Sequence, residues 1–248
     1  MKYYVVSDVH SYFDEMEEAL TEKGYFSDAE PHKLIICGDL FDRGPDAKKM
    51  QMFVLEKLRS DECILIKGNH EDLLESLLCD MEFGNHANGI SSHHFHNGTV
   101  DTVAQLTDMT IDEVCLYPYK AVARMKATPL MKEIIPSMLD YFETDHYVFV
   151  HGWIPVFNSK RARIKQWRKA TALDWIYARW SNGMDMARDG WLVHDKTVVC
   201  GHFYCGYGRT GKQVFVHSAY EPYYAEGIIA IDSSVANTQI INCLVIED

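Results

Sequence analysis

Short apolar runs alternate with helical periodicities through the N-terminal third of the chain. Tyr3 to Ser7 reads as a buried strand, and Tyr12 to Lys23 spaces Phe13, Met16 and Leu20 as one face of a helix. Lys33 to Cys37 is a second strand. Ala47 to Leu58 follows as a helix carrying Met50, Phe53, Val54 and Leu58. Cys63 to Ile66 is a third strand, and Glu71 to Phe83 a third helix. Such alternation predicts parallel strands joined by right-handed crossovers.

The pattern changes after that. Residues 84–140 carry no clean strand signal and read as helix and loop, a cap or insertion. Tyr147 to Val150 is again a strand, and Arg163 to Trp180 is mostly helical. The last third is strand-rich: Thr197 to Cys200, Val214 to His217, Gly227 to Ile231 and Gln239 to Ile246. No repeat and no Pro/Gly/Ser linker divides the chain. The expected fold is α/β, a two-sheet β-sandwich flanked by helices with a helical insertion, in a single domain over residues 1–248.

Composition narrows the function classes. With 47% hydrophobic and 24% charged residues, the chain has the make-up of a globular protein able to bury a sizeable core. Its formal net charge of −12 lacks the basic excess by which nucleic-acid binders neutralise phosphates, and it disfavours an anionic membrane surface. The cysteines number seven, an odd count, without any C-x-x-C pair; Cys37 and Cys200 lie inside apolar runs. That usage suits a reducing compartment. With neither a signal peptide nor a bilayer-length apolar stretch in view, the expected location is the cytoplasm.

The ends of the expected strands carry the chemistry. The first runs into Ser7-Asp8-Val9-His10, where strand alternation puts Asp8 and His10 on one face. The second runs into Gly38-Asp39-Leu40-Phe41-Asp42-Arg43-Gly44, the third into Gly68-Asn69-His70-Glu71, and later ones into His151-Gly152 and Gly201-His202. Ligand sites of layered α/β folds gather beyond the carboxyl ends of strands. Carboxylate, imidazole and amide oxygen suit manganese, iron or zinc, and the absence of thiolates argues against a structural zinc cluster. The ligand-type residues exceed what one ion with open positions needs, so two metals sharing a carboxylate fit better.

These blocks, in this order and spacing, resemble the calcineurin-like metallophosphoesterases, and more narrowly their phosphoprotein phosphatase (serine/threonine phosphatase-like) branch, including short bacterial and phage enzymes. Asp42-Arg43-Gly44 and Gly68-Asn69-His70-Glu71 favour that branch. So does Gly201-His202-Phe203-Tyr204, which lacks the second histidine of the Gly-His-x-His found in many phosphodiesterase relatives. The resemblance implies that Asp8, His10 and Asp39 hold a first metal. Asp39 bridges to a second, completed by Asn69, His151 and His202. It further implies that His70 protonates the leaving oxygen, oriented by Asp42, and that Arg43 clamps the phosphoryl oxygens. The family places a second arginine near a tryptophan, for which Arg179, between Trp175 and Trp180, is the candidate.

The physics of those roles is independent of the family. Two divalent ions about 3.5–4 Å apart make a shared water acidic enough to be a hydroxide nucleophile near neutral pH. A guanidinium matches a pair of phosphoryl oxygens as lysine does not. The chain departs from the family pattern at Ser7 and Ser11, which stand where glycines are common, and at Asp232-Ser233-Ser234, where relatives place an early glycine. Asn97-Gly98-Thr99 is similar to an Asn-Gly-Gly stretch of some relatives. Plainer readings stand beside several residues. Arg179 reads equally as a helix-face arginine stacked on tryptophan, His93, His94 and His96 as a polar loop, and His194 and His217 as structural. Asp14-Glu15 and Glu17-Glu18 read as a solvated helix face, and the aromatic turn at Tyr220 to Tyr224 as an edge or a pocket wall.

The expected function is a phosphatase acting on phosphate monoesters, phosphoserine and phosphothreonine included, with two metal ions, manganese first and iron or zinc next. The expected partner is a phosphorylated protein, nucleotide or small ester, not nucleic acid or membrane. The alternative enzyme is a dinucleoside polyphosphate or nucleotide hydrolase. The alternative from another class is a catalytically silent, metal-bound binding protein, against which His70, Asp42 and Arg43 speak.

Overall fold

In the computed structural model, which describes residues 1–84, 89–157, 162–210 and 220–248, strand alternation sets the layers. β1 (Lys2–Val6) pairs in parallel with β2 (His32–Cys37), β2 in parallel with β3 (Cys63–Ile66), and β9 (Leu244–Glu247) runs antiparallel along the free side of β1. On one face of this sheet Tyr4, Val6, Leu34, Ile36 and Leu65 share a buried cluster with Met16, Leu20, Met50, Val54, Leu74 and Leu77. Those partners come from α1 (Phe13–Glu22), α2 (Ala47–Arg59) and α3 (Asn69–Phe83). The parallel order expected of the first three strands is observed.

The same cluster takes in the middle of the chain. α4 (Ser92–His96), α5 (Thr99–Thr107), α6 (Ile111–Leu116) and α7 (Pro118–Ala127) lead through a π-helical turn, Leu130–Ile134, into the single turn α8 (Ile135–Ser137). Val100, Val103, Leu106, Val114, Val122, Met125, Leu130 and Ile134 are buried with α1 to α3, so this stretch thickens the helical layer on the first sheet.

The second sheet has the order β4-β5-β6-β8-β7. β5 (Tyr147–Phe149), β6 (Thr197–Cys200) and β8 (Ile228–Ala230) are parallel, and the short strands β4 (Phe142–Glu143) and β7 (Tyr223–Ala225) flank them antiparallel. Its outer face, with Val148, Val198, Cys200, Ile228 and Ala230, is covered by Trp153, by Trp175 of α9 (Ala172–Arg179) and by Met184 of α10 (Gly183–Arg188). Its inner face meets the first sheet in a dry seam of Tyr3, Val5, Ile35, Cys37 and Ile66 against Phe149, Val199 and Ile231. The architecture is the expected sandwich of two sheets between helical layers. α11 (Gly206–Thr210) and α12 (Val235–Thr238) complete the described helices.

Some elements differ from the sequence reading. The helix expected from Arg163 begins only at Ala172, because Thr171 and Asp174 form a reciprocal capping box there. Arg163 instead bridges to Phe157, and Trp167–Lys169 is a 3₁₀ turn. The strand expected from Gln239 forms only at Leu244–Glu247, since α12 precedes it and Gln239 is left-handed, with φ of +58°. β4 and β7, two and three residues long, are too short to register as a pattern. The strand expected at Val214 to His217, with His217 itself, lies outside the described residues.

Candidate metal centre

β1, β2 and β3 are parallel, so their carboxyl ends emerge on one edge, and the loops that follow are laced together. The N–H groups of Asp8, His10 and Ser11 donate to the carbonyls of Gly38 (3.2 Å), Asp39 (2.9 Å) and Leu40 (2.8 Å). The buried carboxylate of Glu71 accepts from the N–H groups of Gly68 (2.7 Å), Asp39 (3.1 Å) and Leu40 (2.9 Å), tying the second loop to the third. This lacing holds a contorted backbone. Asp8, His10, Ser11, Asp39, Asp42, Arg43 and His202 all have φ between +47° and +73°. Such left-handed non-glycine residues cost on the order of 1–3 kcal/mol each and persist where their surroundings over-determine them. Gly68 is required for another reason: a Cβ there would run into the carboxylate of Asp39.

Asp39 lies at the centre. Its Oδ2 is 3.7 Å from Nε2 of His10 and 3.8 Å from Nε2 of His70, while its Oδ1 is 3.3 Å from Nε2 of His151. Among the described residues two trios converge closely enough to hold a metal ion, His10 with Asp39 and His70, and Asp39 with His151 and His202. The tautomers fit. Nδ1 of His10 donates to the Phe41 carbonyl (2.8 Å) and Nδ1 of His151 to the Cys37 carbonyl (2.8 Å), so each Nε2 turns a lone pair inward. Nε2 of His151 faces Oδ1 of Asn69 at 2.8 Å as well as Asp39. Three acceptors meeting without a proton between them is an arrangement that a cation satisfies.

The other expected residues take different places. Asp8 is adjacent but outside both trios: its carboxylate takes the hydroxyl of Ser7 and the backbone N–H of His202 (3.0 Å). Nδ1 of His70 donates to Oδ2 of Asp42 at 2.7 Å, and Arg43 donates from Nη1 to His10 (2.6 Å) and from Nη2 to His70 (2.9 Å). Arg179 is buried and ion-paired, with Nη1 on Asp72 (2.7 Å) and Nη2 on Asp140 (2.5 Å). His93, His94 and His96 lie on α4 and join neither trio.

Residues 1–226 match the family model described as calcineurin-like phosphoesterase. The chain belongs to that family. Among curated relatives, the asymmetrical bis(5'-nucleosyl)-tetraphosphatase PrpE of Oceanobacillus iheyensis is 32% identical over 76 residues, 28% of this chain and 30% of its own length. PrpE of Bacillus subtilis is 29% identical over 119 residues, 46% of this chain and 45% of its own length. The zinc-dependent endopolyphosphatase of Saccharomyces cerevisiae is 32% identical over 82 residues, 33% of this chain and 24% of its own length. The chain therefore spans less than half of each of these proteins. Among solved structures, the cold-active protein-tyrosine phosphatase of a psychrophilic Shewanella species shares the fold, with a TM-score of 0.53 and 14% identity over 100% of this chain and 75% of the other.

Electrostatics separate the histidines of this calcineurin-like phosphoesterase. Burial, reinforced by the Arg43 charge, holds His10 well below the ordinary imidazole range. Burial lowers His151, and burial with the neighbouring His151 lowers His202 to about 3. Neutral imidazoles are what metal ligation needs. For His70, burial works in the same direction but Asp39 and the hydrogen-bonded Asp42 outweigh it and raise it. One histidine is thus set apart to carry a proton among others held neutral. Burial also opposes ionisation of Asp39, but the imidazoles of His151, His70, His10 and His202 prevail and hold it below the usual carboxylate range.

The structure adds residues that the motif reading did not assign. Asp232 is buried beside the loops, and burial pushes it up to about 6. Burial, then Asp232 and Asp39, push Asp8 well above the ordinary value. Asp232 follows Ile231 just past β8, the same strand-end placement that singled out the other ligands, so a signal for it existed. The Asn97-Gly98-Thr99 likeness touched Thr99 without giving it a role, and no motif pointed to Thr102; the hydroxyls of both reach Asp42.

Proposed function

We propose that this protein is a metal-dependent phosphatase that hydrolyses phosphate monoesters, phosphoserine and phosphothreonine included. The metals would be held by Asp8, His10, Asp39, Asn69, His151 and His202. The observation that carries the reading is Asp39, whose two carboxylate oxygens face two different neutral imidazole lone pairs, Nε2 of His10 and Nε2 of His151. A pair of divalent cations in such a cage supplies Lewis acidity to the phosphoryl group and makes water nucleophilic near neutral pH. The mixed oxygen and imidazole donors suit manganese, with iron or zinc next.

The chain's own groups would do the rest. Phosphorus–oxygen cleavage leaves charge on the departing oxygen, and His70 is the group raised toward protonation. With Nδ1 fixed on Asp42, its Nε2, which accepts from Arg43 in this structure, would take up the transferable proton once that guanidinium turns to the phosphoryl group. Arg43 already points its guanidinium at the edge shared by His10 and His70, so a bound phosphoryl group would exchange two imidazole partners for two of its oxygens. Arg179 is oriented by Asp72 and Asp140 through its two Nη atoms, and its buried Nε, which has no hydrogen-bond partner, remains a donor for an anion.

A metal-reconstituted panel tests the reading: an aryl phosphate, a phosphoserine peptide and diadenosine tetraphosphate, assayed beside metal analysis. Two ions per chain and turnover of the monoesters are expected. At most one ion, or no hydrolysis of any ester with manganese, iron or zinc, would defeat it and favour a silent binding protein. A second reading, hydrolysis of a dinucleoside polyphosphate, is favoured by the PrpE relatives and by Trp180. That ring is 45% exposed and packs edge-on to His202 with centroids 5.7 Å apart, a surface on which a base could stack. A higher kcat/KM on diadenosine tetraphosphate than on the phosphopeptide would select it.

A further inference from the structure

We infer that Thr99 and Thr102, at the start of α5, are positioning residues for the proton donor: their hydroxyls clamp the carboxylate of Asp42 and through it the ring of His70. The inference rests on the phosphatase reading, in which His70 is the acid. Asp42 is buried, and both of its oxygens are taken. Oδ2 accepts Nδ1–H of His70 at 2.7 Å and the hydroxyl of Thr99 at 2.9 Å, while Oδ1 accepts the hydroxyl of Thr102 at 2.7 Å. The Thr102 oxygen in turn accepts the backbone N–H of Asp42 at 2.9 Å. Thr99 is 0% and Thr102 1% exposed, so no water substitutes for either.

Without these hydroxyls the carboxylate would keep one hydrogen bond, to His70, and would be free to turn about it. It would also leave a buried carboxylate oxygen unpaired, which favours any rearrangement that finds it a partner. The two threonines lie 57 and 60 residues from Asp42 in sequence, so the clamp is purely tertiary. The approach is itself built. Gly98, at φ of +80°, precedes α5 with its α-carbon so close to the backbone of Arg43 that a side chain there would collide with it. Thr99 is the first residue of α5, and its hydroxyl is directed to Asp42. The helix thus aims hydroxyls across the layer instead of capping itself.

Thr99→Val and Thr102→Val delete the hydroxyls at nearly constant volume, and Thr99→Ser and Thr102→Ser retain them. The main readout is the ratio of kcat on an alkyl phosphate to kcat on an aryl phosphate. Acid catalysis, worth about 10²–10⁴-fold, is needed for the poor alkoxide leaving group and much less for the phenolate, so each valine variant should lower the ratio by about tenfold or more. The serine variants should restore it, with two metals per chain throughout. A second readout needs no turnover: in metal-free protein the Nδ1–H proton of His70 should give a downfield, slowly exchanging NMR resonance, present in wild type and serine variants and lost in Thr99→Val/Thr102→Val. An unchanged ratio together with a retained resonance overturns the inference and leaves the phosphatase reading standing. Equal losses on both esters with no serine rescue also overturn it, as a merely structural role would give that result. Absence of turnover in metal-loaded wild type would sink the phosphatase reading and the acid role with it.

Discussion

Single side chains at this site act as acceptors or donors with little slack. Glu71 shows this most plainly. Its two oxygens receive three backbone N–H groups, from Gly68, Asp39 and Leu40, and no donor is wanted there. Glu71→Gln is nearly isosteric but turns an NH₂ toward at least one of those N–H groups. An unsatisfied buried donor costs about 1–3 kcal/mol, so chelator-treated Glu71→Gln should unfold at correspondingly lower denaturant, with metal affinity about 10–100-fold weaker. Unchanged midpoints and affinity would show that the lacing is incidental. His202 makes a pH prediction. Folded and metal-free it titrates near 3, whereas an unfolded imidazole titrates near 6.5. Within that window the unfolded chain binds the proton and the folded chain does not, so the contribution is complete above 6.5 and lost as pH falls toward 3. His10 and His151, also held low, act in the same sense, while the raised Asp8, Glu71 and Asp232 oppose them. The clean comparison is therefore with His202→Asn in chelator-treated protein. The variant's stability should fall less steeply with acid, by up to about 1.4 kcal/mol per pH unit, in denaturant titrations.

At the scale of elements, each ligand-type residue is delivered by the end of a strand or the start of a helix. α3 opens directly on Asn69 and His70, and the Glu71 carboxylate caps it by bonding back to the Gly68 N–H. α9 opens on a Thr171/Asp174 capping box and ends at Arg179, placing Trp180 beside His202. Thr171→Ala should cost about 1 kcal/mol through loss of that cap, read as a lower denaturant midpoint at unchanged slope. An unchanged midpoint would mean that packing of Trp175 alone holds the helix start. The first three helices and strands were legible because their apolar periods are long and regular. The later helix was expected too early because Trp167 and Ala170 mimic its apolar face while the chain is still in a 3₁₀ turn and loop.

For the whole molecule, the candidate centre spans both sheets. Asp8, His10, Asp39 and Asn69 follow strands of the first, and His151, His202 and Asp232 follow strands of the second. The dry seam between the sheets therefore sets the distance between the two halves of the cage. Phe149, wholly buried in that seam, ends β5 two residues before His151. Phe149→Ala should lower stability by about 3–5 kcal/mol and also weaken metal binding. The second effect is visible as a smaller metal-induced rise in Tm than in wild type, because a ligand's stabilisation grows with the logarithm of its affinity for the folded state. An equal rise would show that the cage is indifferent to the seam.

The linear chain by itself determined which residues stand at strand ends, their order, and the family they resemble, because periodicity and motif spacing are properties of neighbours in sequence. It also determined the layering, since alternation along β1, β2, β5 and β6 leaves each strand one face for helices and one for the opposite sheet. Only the tertiary structure decided the rest. It selected the imidazole tautomers through the Phe41 and Cys37 carbonyls, bent seven site residues into the left-handed region, and brought Asp232 beside Asp8. It also carried Thr99 and Thr102 to Asp42 and oriented Arg179 between Asp72 and Asp140. The reason is physical: charge, tautomer and hydrogen bonding depend on distance in space, and these partners are separated along the chain by tens to hundreds of residues that no local pattern spans.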